Sequence, residues 1–326
     1  MDTKMIEKIS IVIPVYAGET TLPILVEEIK PLTVPQITEG GIPFVISELI
    51  LVHDCGPNSS HKTIQKLCDE NIFIQAVWLT KNYGQHPATL AGIQSSNADW
   101  VVTIDEDGQQ NPADIPRMLD FAIFRSLQVV YARPTNPPPH GPLRNLLSKL
   151  AKKTSTMLLG NKDIGAFNSF RLLNGEIAKT LANYCKNGVY LDIGLSWVAG
   201  NVGHFPLRLR EELDRPSSYS FLKLLGHFWR LILTTGTRPL RLITFTGILS
   251  IVLALCLSLY AIYGKYVGNI PVEGWTSLVI VVSFFSGSIL AALGIIAEYL
   301  AVSTSIAMGK PMFIISTKPT VSQPSN

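Results

Sequence analysis

ISIVIPV, residues 9–15, is a near-continuous apolar run. A strand with one wet face alternates apolar and polar residues, so an unbroken run of this kind reads as a strand covered on both faces, as in a parallel sheet. Working outward, residues 20–29 (TTLPILVEEI) read as a helix, 46–52 as a second strand and 59–70 as a second helix. Residues 74–79 give a third strand, 88–95 a third helix, and 100–104 a fourth strand that stops in Asp105-Glu106-Asp107; 129–131 read as a further strand. Strands alternating with helices at this spacing predict an α/β fold with a doubly wound, mostly parallel sheet. Ligands bind such sheets beyond the carboxyl ends of the strands. Four polar clusters follow those ends, at 16–19, 53–58, 80–86 and 105–111, and are expected to converge on one crevice.

The chain as a whole is too poor in charge to be wholly soluble. Of its 326 residues 47% are apolar and only 16% charged, against about 25% charged in soluble domains. That balance excludes a disordered chain, a collagen-like repeat and a small disulfide scaffold. Lys and Arg (27) nearly cancel Asp and Glu (24), leaving +3, which gives no footprint for nucleic acid. Cys55, Cys68, Cys185 and Cys256 show no metal-ligand or paired spacing, so a reducing compartment is expected.

Residues 242–263 and 276–297 each run 22 positions without a charge, and about 20 apolar residues cross a bilayer as a helix. Lys223, Arg230, Arg238 and Arg241 precede the first run, and Lys310 and Lys318 follow the second. The positive-inside rule then places both termini in the cytoplasm. Met1–Lys8 is polar, so no signal peptide is expected there. Residues 217–235 repeat apolar side chains at helical spacing and read as an amphipathic helix lying in the membrane interface, with a core-docking helix as the alternative. The expected organisation is a cytoplasmic domain over 1–215, a juxtamembrane region over 216–240, a two-helix transmembrane hairpin within 241–300 and a cytoplasmic tail over 301–326.

No Gly-x-Gly-x-x-Gly opens the first helix and no phosphate-cradling Gly-rich Lys-Ser/Thr loop is present, which argues against dinucleotide-binding dehydrogenases and P-loop enzymes. The chemistry falls to the acidic cluster. Alternate residues of an extended chain point the same way, so Asp105 and Asp107 can share a site. Two close carboxylates repel and raise each other's pKa, a conflict that a hard divalent ion such as Mg²⁺ or Mn²⁺ removes, together with substrate phosphates. Gln109 can add a neutral oxygen. A solvated acidic turn is the ordinary reading of Asp-x-Asp; the strand-terminal position beside Gln109 and Asn111-Pro112 favours a functional one.

These residues resemble the family 2 glycosyltransferases of GT-A fold, and within them the membrane-anchored polyprenyl-phosphate glycosyltransferases: bactoprenol glucosyltransferases and, more distantly, dolichol-phosphate mannose synthase. The resemblance runs through IVIPVYAGETTLP, LVHDCGPNSS, LTKNYGQHPATLAGI, TIDEDGQQNPADIP, the stretch from Asn168 to Arg171, SSYSFLKLL and LGIIAEYL, and so covers nearly the whole chain. It implies metal-dependent inverting transfer of a hexose from a nucleotide sugar, UDP-glucose by default, to a polyprenyl phosphate at the cytoplasmic face of a bacterial plasma membrane. By position, it implies that Pro14, Val15 and Tyr16 line the base pocket, that Glu19 lies near the ribose, and that Asp54 holds the base. It further implies that Asp105 contacts the nucleotide sugar and that Asp107 and Gln109 hold Mg²⁺ or Mn²⁺. Arg133 and Arg171 would lie at donor or acceptor phosphates, and Arg144 and Ser148 in the acceptor loop, with Asp105, Asp107 and Arg171 the catalytic set.

Three departures stand out. Ala17 replaces the family's usual Asn, His53-Asp54 replaces its common paired aspartate, and Ser218 stands where many relatives carry Lys. His53 reads equally as a base contact or a turn residue, His86 equally as a substrate contact or a loop hydrogen-bonding residue, and Cys55 as packing. Direct sugar transfer to a lipid-linked glycan is one competing function. A non-catalytic membrane partner that retains the fold is the other. Small residues at Gly287, Ala291, Ala292 and Gly294 permit close helix packing, hence a homo-oligomer.

Overall fold

The computed structural model describes residues 5–57, 59–136, 168–185, 191–210, 274–309 and 311–319, with single helical positions at 247, 252, 256, 259 and 263. Among the described residues nine strands form one sheet: β1 (Glu7–Val15), β2 (Gln36–Ile37), β3 (Pro43–His53), β4 (Ile74–Leu79), β5 (Trp100–Thr103), β6 (Val129–Pro134), β7 (Arg171–Asn174), β8 (Val202–Leu207) and β9 (Ile315–Ser316). Their order is β8-β6-β7-β5-β1-β3-β4-β9, with β2 beside β3. The helices are α1 (Thr21–Ile29), α2 (Ser60–Glu70), α3 (Gln85–Ser95), α4 (Ile115–Phe124), α5 (Gly175–Cys185), α6 (Leu191–Val198) and α7 (Trp275–Ala307).

The apolar run at 9–15 does what its composition requires. Ile9, Ile11, Ile13 and Val15 enter one core with α1, α2 and α4, while Val12 enters a second core with α3, α5 and α6 on the opposite face. Both faces of β1 are therefore dry, as the absence of alternation predicts. On the second face α3 lies flat against β1 and β3 because Gly92 has no side chain. A Cβ there would meet Val12 Cγ1 at 2.3 Å and Val52 Cγ2 at 2.9 Å.

The centre of the sheet, β4-β3-β1-β5, is parallel. The expectation of a mostly parallel sheet holds there and again between β6 and β8, and gives way at three strands. β7 runs antiparallel to both β5 and β6, and β2 and β9 are antiparallel edge strands. The sheet is a mixed α/β sheet. Because β7 enters backwards, its first residue, Arg171, lies at the same end of the sheet as the carboxyl ends of β5 and β6. The expected helix at 88–95 begins instead at Gln85. Gly84, at φ +93°, makes the turn, and Pro87 sits in the first helical turn, where its missing N–H costs nothing.

α7 is one unbroken helix of 33 residues that contains the whole second apolar run. Its Leu278, Val282, Phe284, Ile289, Leu290, Leu293 and Leu300 are exposed. Within it residues 284–301 are long and apolar enough to cross a membrane, by length and composition. Of the run at 242–263, Gly247, Val252, Cys256, Leu259 and Tyr263 are helical and exposed; its other residues and the interfacial stretch 217–235 lie outside the described residues.

Candidate active site

The four polar loops at the carboxyl ends of β1, β3, β4 and β5 interlock as a ring. Glu106 accepts hydrogen bonds from the N–H groups of Tyr16 and Ala17, each at 3.1 Å, and so ties the loop after β5 to the loop after β1. Asp105 accepts from Gln85 Nε2 at 2.5 Å, joining the same loop to the start of α3. Asp54 accepts from the N–H groups of Tyr83 (2.7 Å) and Gly84 (2.8 Å), joining the loop after β3 to the loop after β4. Gly56 closes the ring. A Cβ on it would lie 1.5 Å from the Tyr16 carbonyl oxygen, so only glycine lets these two backbones touch.

Asp105 is the most heavily engaged carboxylate in the ring. Its second oxygen accepts from Gln110 Nε2 at 3.0 Å and from the Ser169 hydroxyl, and Gln110 Oε1 accepts from the Asp105 N–H at 2.9 Å. Burial pushes its carboxyl up to about 6, opposed first by the Ser169 hydrogen bond and reinforced by neighbouring Asp107. Burial likewise raises Asp54 to about 6, against its two backbone donors. Asp107 is raised by burial, opposed by the Gln109 N–H that its Oδ1 accepts at 3.0 Å. Of the paired aspartates, Asp107 is the one whose carboxylate is not committed to side chains of the ring. One or two carboxylates completed by phosphate oxygens suit Mg²⁺ or Mn²⁺, and Asp107 fits that pattern. Among the described residues no group of three or more His, Cys, Asp or Glu is placed to hold a metal ion.

Several expected site residues sit differently from their sequence reading. Pro14 and Val15 are buried strand residues, and of the three expected to line a base pocket only Tyr16 is exposed. Glu19 accepts from the Ser59 N–H at 2.6 Å, at the start of α2. Arg171 is buried rather than free to meet a phosphate. Its guanidinium pairs with Asp192, in the first turn of α6, and donates to Thr103 Oγ1 at 3.1 Å. Tyr131 also donates to Asp192, at 2.9 Å, and Thr103 donates to the Ser169 carbonyl. Arg171 thus braces the Ser169 loop that holds Asp105. Arg133, exposed at the end of β6, and Arg208, exposed just past β8, are cations at the crevice end of the sheet. Gln109 meets Arg210 through its carbonyl, which accepts the Arg210 N–H at 2.8 Å. Arg144 and Ser148 lie outside the described residues.

The ambiguous residues also find places. His53 is fully buried against Trp78 and His61. Neither of its ring nitrogens has a partner among the described residues, and burial, then His61, pushes its pKa down to about 4. His86 accepts the Leu191 N–H at 3.2 Å. The Cys55 thiol donates to the Leu79 carbonyl at 2.9 Å, from a backbone at φ +46°.

The sequence profile described as glycosyl transferase family 2 matches residues 10–181, more than half of the chain. The chain belongs to that family. Its matched region carries β1 to β5, the acidic cluster and Arg171, so this family 2 protein holds its ring of loops within the family's own segment, and it is a glycosyltransferase. Similar proteins include the undecaprenyl-phosphate 4-deoxy-4-formamido-L-arabinose transferase of Pectobacterium carotovorum, 28% identical over 319 residues, covering 95% of this chain and 93% of the relative. Another is the bactoprenol glucosyl transferase of Shigella phage SfX, 24% identical over 95% of this chain and 99% of the relative. Among solved structures, glucosyl-3-phosphoglycerate synthase from Mycobacterium tuberculosis, with Mn²⁺ and uridine diphosphate, aligns at a TM-score of 0.48 and 17% identity, over 71% of this chain and 80% of that one.

Proposed function

We propose that the protein transfers a hexose from a nucleotide sugar to a polyprenyl phosphate at the cytoplasmic face of the membrane, with inversion at the anomeric carbon. The observation that carries this reading is the joining of a glycosyl-transfer crevice to a long helix whose apolar side chains are exposed. Two relatives similar over nearly their whole length are named for polyprenyl acceptors and for different sugars. That supports the acceptor class and leaves UDP-glucose as the first donor to try. In this reading residues 1–215 form the cytoplasmic domain, 216–240 rest on the membrane, 242–263 and 276–297 cross it, and 301–326 return to the cytoplasm.

Asp107, with Gln109, would hold Mg²⁺ or Mn²⁺; when bound, the ion supplies positive charge to a departing nucleoside diphosphate. Tyr16, Glu19 and Asp54 belong to the loops that shape the donor end of the crevice, and Asp105 orients the sugar while three side chains, Gln85, Gln110 and Ser169, donate to its carboxylate. Arg133 offers an exposed cation for a phosphate, with Arg144 and Ser148 assigned to the acceptor loop. An acceptor phosphate is already anionic, so a strong general base is not required. Arg171 serves the site by holding the Ser169 loop.

The test is a transfer assay on full-length protein in detergent, with undecaprenyl phosphate, Mg²⁺ or Mn²⁺, and radiolabelled UDP-glucose, UDP-galactose, UDP-N-acetylhexosamines and GDP-mannose. Label passing into the organic phase with one donor, and lost with EDTA, is the expected result. Nucleotide release only with a lipid-linked glycan as acceptor would replace the reading with direct glycan transfer, and no turnover with any pair would leave a non-catalytic partner.

A further inference from the structure

The last described strand, β9, belongs to the chain that follows the long apolar helix, yet it pairs with the catalytic sheet. It lies antiparallel to the edge of β4, with Trp78 opposite Ser316 and Leu79 opposite Ile315. Those β4 residues are its last two, at the crevice end. One pairing bond continues past the strand: the Thr80 N–H donates to the Ile314 carbonyl at 3.1 Å. Leu79–Ile315 is therefore a non-hydrogen-bonded pair, and the alternating antiparallel pattern turns the Ser316 N–H toward the Trp78 carbonyl.

Thr80 opens the loop that carries half the ring. Its hydroxyl meets the Tyr83 hydroxyl at 2.9 Å; Tyr83 and Gly84 hold Asp54; Gln85 holds Asp105. Upstream of β9, Met312 and Phe313 pack on the core that includes Leu79, Ala88 and Ala91. The seam is not filled: a cleft of about 260 Å³ lies between Gln94 and the tail residues Pro311, Met312, Phe313 and Ile315. The strand is thus an addition to the open edge of β4, held by a few bonds and two apolar anchors. Seven residues, Met308 to Ile314, separate it from α7, a stretch that spans at most about 25 Å.

We propose that β9 is a positioning strand for the glycosyl-transfer site, holding the loop at 80–84 in the shape that engages Asp54 and Asp105 and tying that loop to the end of α7. The proposal rests on the reading of this crevice as the donor site. If the strand is released, the loop orders only when donor binds. A site that is competent for a fraction of the time binds with an affinity reduced by that fraction, so the donor KM rises while kcat at saturating donor changes little.

The experiment compares full-length protein with Ser316→Pro, which removes the strand's N–H donor, and with Ser316→Ala, which keeps it. Amide hydrogen exchange is read by mass spectrometry, alongside donor KM and kcat. Ser316→Pro is expected to lose protection at 80–85 alone and to raise donor KM about tenfold with kcat within about threefold, while Ser316→Ala behaves as wild type. Should Ser316→Pro fail to fold, Phe313→Ala loosens the anchor without touching the strand's bonds and is expected to give the same pattern at smaller amplitude. Unchanged protection at 80–85, or faster exchange spread evenly through β1, β3 and β5, overturns the proposal. Exchange needs no substrate, so a wild-type protein that transfers no sugar would refute the functional reading while the strand is still judged.

Discussion

Asp107 and Arg171 are expected to fail in different ways when removed. Asp107 is half-buried, and among the described residues its carboxylate is bonded only by nearby backbone N–H groups such as that of Gln109, so Asp107→Ala should lower kcat at least about a thousandfold with the melting temperature unchanged. Arg171 is buried in an ion pair with Asp192, and breaking a buried pair by removing one partner costs about 3–5 kcal/mol. Arg171→Ala should therefore lose activity together with stability, a comparison that thermal melts and transfer rates make directly. His53 supplies a pH signature. Its pKa falls from 6.5 in the unfolded chain to about 4 in the fold, so the native state binds fewer protons between those values. Stability is full above 6.5 and is lost as pH falls toward 4, by about 2 kcal/mol at pH 5. His53→Leu should gain stability relative to wild type on moving from pH 7.5 to pH 5, read as the difference between paired melting curves. Asp105 and Asp107 were legible because two like charges at the end of an apolar strand need a reason. Glu106, Gln85, Gln110, Ser169 and Asp192 were not. Their roles depend on partners 5 to 90 positions away, and no local pattern encodes that distance.

Among the elements, α3 carries the sharpest prediction. Ala in place of Gly gains up to about 1 kcal/mol in a helix, but at Gly92 the new Cβ meets two β-branched side chains of the sheet, which cannot turn away. Overpacking of this kind costs about 1–3 kcal/mol. Gly92→Ala should lower the melting temperature, with Gly92→Val worse; an unchanged melt would show that α3 does not lie flat on β1. The strands at the centre of the sheet were readable because burial on both faces leaves an apolar run with polar residues only at its ends. β7 was not assigned as a strand at all, although the stretch leading into it was singled out, since four residues that open on a buried Arg carry no strand period. β9, two residues long, carries none either. Its existence follows from an open edge on β4, which is a property of the sheet and not of the tail's own sequence.

For the whole molecule, the exposed apolar side chains of α7 must find a non-aqueous neighbour, since monomeric soluble proteins rarely leave patches of this extent in water. The protein is expected to remain in the membrane pellet through an alkaline carbonate wash and to leave it only with detergent. Release by carbonate alone would mean that α7 packs against protein. The long apolar helix was visible in composition, because charge is scarce and residues 276–297 hold none. The tie between that helix and the crevice was not, because it rests on a pairing between residues more than 200 positions apart.

The length of α7 has a consequence of its own. Thirty-three helical residues measure about 50 Å, whereas the hydrocarbon layer is about 30 Å thick. A helix that spans such a layer tilts or projects, and how far depends on the lipids around it. If α7 spans the bilayer as proposed, the short tether to β9 makes its projecting end set how high the crevice rides above the phosphate plane. On that proposal acyl chain length is an input to the reaction: in a series of vesicles from short- to long-chain lipids, transfer should peak at one thickness, where the stand-off matches the reach of the proposed lipid acceptor's head.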